Sequence, residues 1–300
     1  MISPVLAAQG MIGGVLATGR RPGGFTGAYD AIPSQVGSFS FARRVVSTYT
    51  GSGNVLRRST DDDLESFGFL SNGDVPVDAI ASWMGAGSAY YHTLADQSGD
   101  GNDATQATSA NQPLYVASGQ NGRPVGRFDG TDDFLYTPYS PSGQITLLGV
   151  RKYSLFDSAD KLFLSCHKAN LPSGGFIFGA YAPSGTHDKL IVQTGLGGAW
   201  VDGVNHLNTH LLSVLWGIDV LRIAATDTEF WMDGVSKVDD NSHGAIAIGN
   251  DLRIGRNAID AHPPGYWNGD IAELIICNAA LSTADREAAE AAANAYWAIY

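Results

Sequence analysis

The sequence predicts a single, large, all-β antiparallel sandwich that ends in one α-helix. Short apolar runs rich in Val, Ile, Leu and Phe recur along the 300 residues, and turn-forming dipeptides separate them. The composition agrees, because 44% of the residues are hydrophobic, only 16% are charged, and the 37 glycines are spread along the chain. Sandwiches reach this length as one unit, so the length requires no second core.

Five apolar runs have the length and composition of β-strands. Between such runs stand Asp-Gly and Asn-Gly dipeptides, which accept positive φ in tight hairpin turns. A longer run, from His210 to Ala225, is predicted to divide at Gly217 and Asp219 into shorter strands. The five runs are Gln144–Val150, Lys161–Cys166, Gly175–Tyr181, Lys189–Thr194 and Asp270–Cys277.

The C-terminus is the one segment with a convincing helical pattern. Ser282 has the residue type of an N-cap, and Asp285 stands three residues later as the acid of a capping box. The alanine-rich run that follows has high helix propensity. These signals predict a helix from about Thr283 to Ala298 that packs Tyr296 or Trp297 on the sandwich.

The charge balance and the two cysteines limit the partners of the chain. A net charge of −12, from 30 acidic and 18 basic residues, excludes nucleic acid as the expected partner, because binding to phosphates needs clustered Lys and Arg. Neutral sugars or other proteins fit better. Cys166 and Cys277 lie in apolar runs, so they form either two buried thiols, the favoured interpretation, or one disulfide.

The first 24 residues differ from the rest of the chain. They are apolar, with no basic residue before Arg20, and Gly and Pro interrupt them, which fits neither an ordinary signal peptide nor a membrane span. We interpret residues 1–24 as an extended anchoring arm that docks on a partner chain, with a disordered tail or an unconventional export signal as alternatives. Residues 25–300 form the predicted sandwich domain.

Two stretches in the first half of the chain carry a family resemblance. The segment Ser38–Val116, and within it DQSGDGNDATQ at Asp96–Gln106, resembles the opening of the catalytic-domain sandwich of fungal α-L-arabinofuranosidase B. The FDGTDDFL of Phe128–Leu135 continues it. Similar stretches occur in tailed-phage and prophage proteins.

The second half resembles a laminin-G-like lectin domain. This resemblance rests on Phe230–Gly234, Leu252–Arg256 and Tyr266–Ala298. Together the two resemblances imply a concanavalin A-like jelly-roll sandwich with a C-terminal helix. Because this fold hosts lectins, glycosidases and structural modules alike, function has to be argued from a site.

The acidic residues give little support to catalysis. A glycosidase needs two carboxylates that face one sugar, and the resemblance carries no catalytic residue onto a matching motif here. Asp227 and Glu229 are two residues apart, so a strand would place both on one face, and Glu273 is a second, isolated candidate. The alternative places the first two in solvent and Glu273 on the polar side of an edge strand. Glu287 and Glu290 are expected in solvent on the terminal helix.

Three acidic, turn-like stretches contain the oxygen ligands that calcium prefers. They are Thr60–Glu65, Asp96–Asp103 and Gly130–Asp133. The favoured alternative is that their Asp side chains accept hydrogen bonds from nearby backbone amides and order the turns. No metal or other cofactor is therefore predicted, and calcium stays the one alternative.

Sugar recognition requires an exposed aromatic face with polar side chains beside it. The segment from Asn257 to Gly269 combines both, and Trp200 is a second aromatic candidate between glycines. The alternative is that Tyr266 and Trp267 begin a strand and fill the core. The predicted carbohydrate contacts are Asn257, Asp260, His262, Tyr266, Trp267 and Trp200.

The sequence thus favours binding and display over catalysis. The leading hypothesis is a virion structural protein of a tailed phage, as a head decoration, fibre or spike subunit, that displays a lectin-like sandwich toward a host-surface glycan. The arm would anchor it to other virion proteins, and particle symmetry predicts a homo-oligomer. The rival hypothesis is a glycoside hydrolase that acts on arabinose-containing polysaccharide, and a third is a lectin without a particle role.

Overall fold

The computed structural model describes most of the predicted sandwich domain. The described residues are 24–154, 161–166, 175–181, 189–196, 199–201, 215–240, 245–247, 249–258 and 265–300. The proposed N-terminal arm lies outside them except for Gly24. No helix in these ranges is long and apolar enough to cross a membrane.

Strands dominate the described ranges, and we number them in chain order. Three strands in the first third lie close together: β2 (Asn54–Arg58), β3 (Leu64–Phe67) and β4 (Ala89–Leu94). One layer contains β1 (Gln35–Ser40), β6 (Leu114–Val116), β7 (Val125–Asp129), β9 (Ile145–Tyr153), β14 (Trp216–Ile223), β15 (Thr228–Met232), β16 (Val235–Asp240) and β18 (Asn268–Cys277). The other contains β5 (Ala104–Thr105), β8 (Leu135–Thr137), β10 (Lys161–Ser165), β11 (Phe176–Tyr181), β12 (Lys189–Leu196), β13 (Ala199–Val201) and β17 (Leu252–Ile254).

All strand pairings in these ranges are antiparallel, and they form the predicted sandwich. The first sheet runs in the order β16–β15–β14–β9–β18, and β1 and β7 share the far side of β18. The second runs β13–β12–β11–β10–β17–β8–β5. Strand β4 pairs with β5 of the second sheet and with β6 and β2, so it links the two sheets along one edge.

Two apolar cores explain why β9 and β18 are hydrophobic on both faces. Between the sheets, Leu147 of β9 packs in one cluster with Leu164 and Phe178 of the second sheet. On the outer face of the first sheet, Leu148 joins a second cluster, which includes Trp297. Every side chain of a strand that is covered on both faces is buried, so an apolar residue at each position stabilises the fold. Its sequence is therefore a continuous apolar run.

The C-terminal helix is confirmed, and it covers that outer face. Helix α2 runs from Thr283 to Trp297, with Ser282 as N-cap accepting a hydrogen bond from the Asp285 backbone N–H at 3.2 Å. Trp297 is fully buried, as predicted for one of the two terminal aromatics. Cys166 and Cys277 are buried free thiols, so the favoured alternative for the cysteines is confirmed.

Two expectations about secondary structure are wrong. A second helix, α1 (Val77–Met84), was not predicted; it is short, and its buried side chain is Ile80 alone. Gly217 and Asp219 do not divide the long apolar run, since both lie inside β14. Asp219 fits a buried strand because Arg151 of β9 binds its carboxylate with two hydrogen bonds, at 2.5 and 2.7 Å.

The DQSGDGNDATQ segment is an ordered loop that anchors β1. Asp96 is buried, and its two carboxylate oxygens accept from the backbone N–H groups of Ser38, Ser98 and Asn102 at 2.9–3.0 Å. Asp103 in turn accepts from the Asp96 N–H at 2.8 Å. These bonds match the alternative in which Asp side chains order the turn. The most specific sequence resemblance therefore lies in a loop that holds the fold together.

Candidate functional site

One end of the sandwich collects polar side chains from three segments. The first segment is the turn from β7 to β8, where Asp129 ends one strand and Gly130 adopts a positive φ of 80°. Asp129 Oδ1 accepts hydrogen bonds from the backbone N–H groups of Thr131 and Asp132, at 2.7 and 3.3 Å. Asp133 Oδ2 accepts from the Asp129 N–H at 2.9 Å. The turn is fixed by its own side chains, which holds its carboxylates close together.

The other two segments pack directly against this turn. Asn268, the first residue of β18, is the register partner of Asp129. Gly255 follows β17 with a φ of 88°, and a Cβ there would lie 2.6 Å from Phe128 Cδ1 and 3.4 Å from the Asp133 carbonyl oxygen. Only a glycine allows β17 to approach the turn this closely. The residues after Gly255 are thereby brought beside the acidic turn.

Arg256 and Asn257 follow Gly255 and are held by a small network. The Arg256 guanidinium carbon lies 4.6 Å from the ring centre of Phe134 and 5.3 Å from that of Tyr266. Ser165 Oγ donates to the Arg256 carbonyl oxygen at 3.0 Å. Arg256 Nε donates to the Asn257 carbonyl oxygen at 3.0 Å. The stacked arginine thus connects Tyr266 to the β7–β8 turn.

The acidic turn has an unusual electrostatic state. Carboxylate oxygens of Asp129, Asp132 and Asp133 all lie within 4.8 Å of one another. Asp133 is only 6% exposed, and this burial raises its pKa to about 7, with the charges of Asp129 and Asp132 adding to the rise and the Asp129 N–H opposing it. Near neutral pH the Asp133 carboxyl group is therefore partly protonated and can donate a hydrogen bond, and exposed Asp129 beside it is a potential acceptor.

Among the described residues, these three acids are also close enough together to act as ligands of one cation. Calcium takes about six to eight oxygen ligands, so three carboxylates supply part of a coordination shell. A cation would also have to displace the proton of Asp133. Acids of the other two candidate stretches, Thr60–Glu65 and Asp96–Asp103, have other partners. Asp61 pairs with Arg58 and Asp62 with Arg57, each at 2.8 Å, and Asp96 accepts hydrogen bonds from backbone N–H groups.

The predicted carbohydrate contacts separate in the structure. Asn257 and half-buried Tyr266 lie at this end of the sandwich, and Asn257 is 7% exposed. Trp267 is wrong as a contact, because it is fully buried, with its ring centre 4.3 Å from that of Tyr153 and 5.3 Å from that of Phe163. Tyr266, the preceding residue, is only half-buried and belongs to neither core cluster. Asp260 and His262 lie outside the described residues, and for Trp200 the structure describes only its backbone, in β13.

The carboxylates nominated for catalysis are bound to arginines. Asp227 and Glu229 both contact the guanidinium of Arg222, Asp227 at 3.4 Å. Glu290 was expected in solvent, but it is 3% exposed and pairs with Arg286 one turn earlier on α2, because this face of the helix rests on the sheet. Glu287 is exposed, as predicted.

Glu273 is a structural acid at the centre of the first sheet. It is fully buried between β1 and β9, so its expected place on an edge strand is wrong. Arg43 donates two hydrogen bonds to its carboxylate, at 2.8 and 2.9 Å, and Tyr29 donates a third. Ser40 and Trp297 donate two more, at 3.2 Å each. With five donors around it, this carboxylate has no position left for a substrate.

Comparison with solved structures agrees with the sandwich fold. The chain is similar to a GH54 α-L-arabinofuranosidase, a mutant soaked with 4-nitrophenyl α-L-arabinofuranoside, with a TM-score of 0.67, 13% identity and 88% of this chain covered. An arabinofuranosidase complexed with arabinofuranosyl-α-1,2-xylobiose gives a TM-score of 0.65 at 13% identity and the same coverage. The binding domain of botulinum neurotoxin serotype D gives 0.51 at 10% identity, covering 88% of this chain and 52% of that one.

The chain spans 63% of the length of the two arabinofuranosidase structures. No protein-family model matches it, and no curated protein matches it in sequence. At these identities the comparison shows the fold, which is the all-β sandwich with a C-terminal helix that the sequence predicts.

Sequence reasoning missed how the site is assembled. It noted the GTDD turn only as a metal candidate and the Asn257–Gly269 segment only as a sugar contact, without joining them. The available signal was glycine: Gly255 and Gly130 stand beside polar residues, and both have positive φ and close neighbours that exclude a side chain. A strand that ends in such a glycine often approaches another backbone closely.

Proposed function

We propose that this chain is a carbohydrate-binding sandwich and that its ligand contacts the end formed by Asp129, Asp133, Asn257 and Tyr266. The observation that carries the proposal is the hydrogen-bonding state of the acidic turn. Buried Asp133, with its pKa near 7, can donate where exposed Asp129 can accept, and sugar hydroxyls need both kinds of partner. The Tyr266 ring, held by Arg256, adds an apolar face beside them.

The chemistry of this end favours a neutral glycan. The acidic side chains of Asp129 and Asp132 and the net charge of −12 would repel uronic or sialic acids. The fold is shared with proteins described as arabinofuranosidases, one of them in complex with an arabinose-substituted xylobiose. We therefore propose a neutral, arabinose-containing polysaccharide as the ligand class.

A binding experiment with matched variants tests this proposal. The full chain is titrated calorimetrically with an arabinofuranosyl-substituted xylo-oligosaccharide, and Tyr266→Ala should weaken binding at least about tenfold, as truncation of an aromatic anchor costs on the order of 2 kcal/mol. Tyr90→Ala is the control, because Tyr90 also stacks with an arginine, Arg57 at 4.9 Å, but on the β2–β4 strands. Equal losses in both variants, or no binding by the wild type, would reject the site.

For the biological setting we propose display on a virion. Residues 1–24 would anchor the domain to other virion proteins, and the sandwich would face outward toward a host-surface glycan. The support is the sequence resemblance of Asp96–Gln106 to tailed-phage proteins and the apolar character of the arm. Deletion of residues 2–24 should abolish incorporation into particles and leave the sandwich folded; normal incorporation of the shortened chain would contradict the role of the arm.

A second candidate function is glycoside hydrolysis by the same acidic turn. The observation that favours it is a carboxylic acid of raised pKa within 4.8 Å of a second carboxylate, the arrangement that separates an acid from a base or nucleophile. Turnover of 4-nitrophenyl α-L-arabinofuranoside that disappears in Asp133→Asn but persists in Glu229→Gln would establish it. Binding without turnover would leave the lectin-like function in place.

A further inference from the structure

The outer face of the second sheet carries polar and aromatic side chains along β8 and β17. Leu135 of β8 and Leu252 of β17 belong to the core between the sheets. Because successive side chains of a strand point to opposite faces, Tyr136 and Arg253 face away from that core. Tyr136 is the register partner of Arg253 on one side and of Thr105 in β5 on the other. All three are partly exposed, so a ligand can reach them from solvent.

Two aromatic side chains connect this face to the acidic turn. Phe134 directly follows Asp133, is partly exposed and belongs to neither core cluster. The guanidinium carbon of Arg256 lies 4.6 Å from the centre of the Phe134 ring. Two residues further along the chain, the guanidinium carbon of Arg253 lies 4.4 Å from the centre of the Tyr136 ring. Since two residues of a strand span about 7 Å, two stacked pairs of arginine and aromatic ring follow one another at that spacing.

The segment that contains Asn257 lies beside the same face. Ser165 of β10 is the register partner of Arg253. Its Oγ donates to the Arg256 carbonyl oxygen at 3.0 Å and accepts from the Ala258 backbone N–H at 2.5 Å. The chain around Asn257 therefore bends over β10, the strand next to β17. A ligand that contacts Asn257 thus lies at the border of the outer face.

Asp251, which directly precedes β17, provides a fixed acceptor at the end of this face that is far from the acidic turn. The Tyr136 hydroxyl donates to its Oδ2 at 2.5 Å, and Ser140 Oγ donates to its Oδ1 at 2.7 Å. These two hydrogen bonds lower the pKa of Asp251, and the positive charge of Arg253 adds to the effect, so the carboxylate is ionised at neutral pH. An arginine and an aspartate thus balance one another here. Such a surface offers donors and acceptors and favours a ligand without net charge.

We infer that the glycan site extends from the loop end along β8, over Phe134 and Tyr136, to Asp251. We call these three residues, with Arg253, the outer track. The ligand is then a stretch of a neutral polysaccharide with several sugar units, not a single sugar. The three residue steps from Asp133 to Tyr136 span about 10 Å, which is longer than one sugar ring. The inference rests on the proposed function, because it lengthens the same site.

Calorimetric titration of the full chain with two ligands of different length tests the inference. The short ligand is xylobiose with one arabinofuranosyl group, and the long ligand is xylohexaose with the same group. The wild type should bind the long ligand at least about tenfold more tightly, because only the long ligand reaches Tyr136. Tyr136→Ala should remove this gain and leave the affinity for the short ligand unchanged. Tyr266→Ala should weaken the binding of both ligands.

Tyr90→Ala is the matched control, because Tyr90 also stacks with an arginine but lies on β4 and not on the outer track. It should bind both ligands like the wild type. Backbone amide shifts of the wild type provide a second readout that needs no variant. The long ligand should shift the signals of Thr105, Tyr136 and Arg253, and the short ligand should leave them unchanged.

The outcomes separate the extension from the proposed function. Equal affinity of the wild type for the two ligands, or equal weakening of both by Tyr136→Ala, would overturn the extension and leave the loop-end site in place. Absence of amide shifts at the outer track with the long ligand would do the same. No binding of either ligand would reject the proposed function, and the extension with it.

Discussion

Two buried carboxylates, Glu273 on the helix-covered face and Asp133 at the loop end, show how one sandwich treats the same chemical group in opposite ways. Glu273 is fully buried and accepts five hydrogen bonds from four side chains, two of them from the guanidinium of Arg43. Asp133 is 6% exposed, and within the described part of the chain one backbone N–H, that of Asp129, donates to it. The first arrangement compensates a charge fully and uses it as a structural joint. The second leaves the acid close to neutral, where it can exchange a proton with a ligand.

The groups that surround Glu273 and Asp133 also differ in charge. Burial alone would lower the pKa of Arg43, but the charge and hydrogen bonds of Glu273 hold that pKa above its usual value, so Arg43 keeps its positive charge. At the loop end the neighbours of Asp133 are two further acids, which add to the effect of burial. The five hydrogen bonds to Glu273 connect β1, β18 and α2 and give it a structural role. The neighbouring acids of Asp133 perturb its pKa, which is typical of functional sites.

The largest expected effect on stability comes from removing the charge of Glu273. Glu273→Gln leaves the Arg43 guanidinium buried without its counter-charge, and removal of one partner of a buried ion pair costs about 3–5 kcal/mol. The free energy of unfolding from urea titration should fall by that amount. A loss below about 1 kcal/mol would show that the network around Glu273 is not a joint.

A smaller effect, with a distinct pH dependence, is expected at Asp133. Its pKa is raised to about 7 in the folded chain, so between about pH 4 and pH 7 the folded state holds a proton that the unfolded state has lost. The stabilisation from this proton is therefore present at low pH and is lost as the pH rises through 7. From pH 5 to pH 8 the wild type should lose about 1–3 kcal/mol relative to Asp133→Asn.

Asp133→Asn keeps an oxygen that can accept from the Asp129 N–H, so it removes the titration and leaves the turn bonded. Unfolding measured at a series of pH values on both proteins checks this prediction. Parallel curves for the two proteins would mean that Asp133 is ionised throughout, and the contrast with Glu273 would then fail.

The smallest effect is expected at Glu229, which the sequence paired with Asp227. Both acids share Arg222 and are about a quarter exposed. Exposed ion pairs contribute about 0–1 kcal/mol, so Glu229→Gln should change the free energy of unfolding by no more than that. The same urea titration measures both variants. If Glu229→Gln lowered the free energy of unfolding as much as Glu273→Gln does, the exposure of an acid would not determine its contribution to stability.

Local signals in the sequence predicted local structure well. Ser282 and Asp285 identify the start of α2 because a cap involves residues three apart. The apolar runs of β9 and β18 identify strands because their two cores cover both faces. These features need no knowledge of distant residues.

The errors arise where a residue's partner is far away along the chain. Glu273 lies 230 residues from Arg43, and Asp219 lies 68 residues from Arg151, so their burial could not be inferred from their own segments. Trp267 was placed in a sugar-binding loop, but its neighbours in space are Tyr153 and Phe163. The same separation hid the loop-end site, whose three segments meet only in the folded sandwich.

Mapping of the contact surface tests whether the loop end binds a neutral glycan. Backbone amide signals of the isotope-labelled full chain are followed by NMR while an arabinofuranosyl-substituted xylo-oligosaccharide is added. We predict shifts at Asp129–Asp133, Asn257 and Tyr266, and unchanged signals around Glu273 and along helix α1. Saturable shifts confined to another surface, or no shifts with a glycan that the chain binds, would contradict the account.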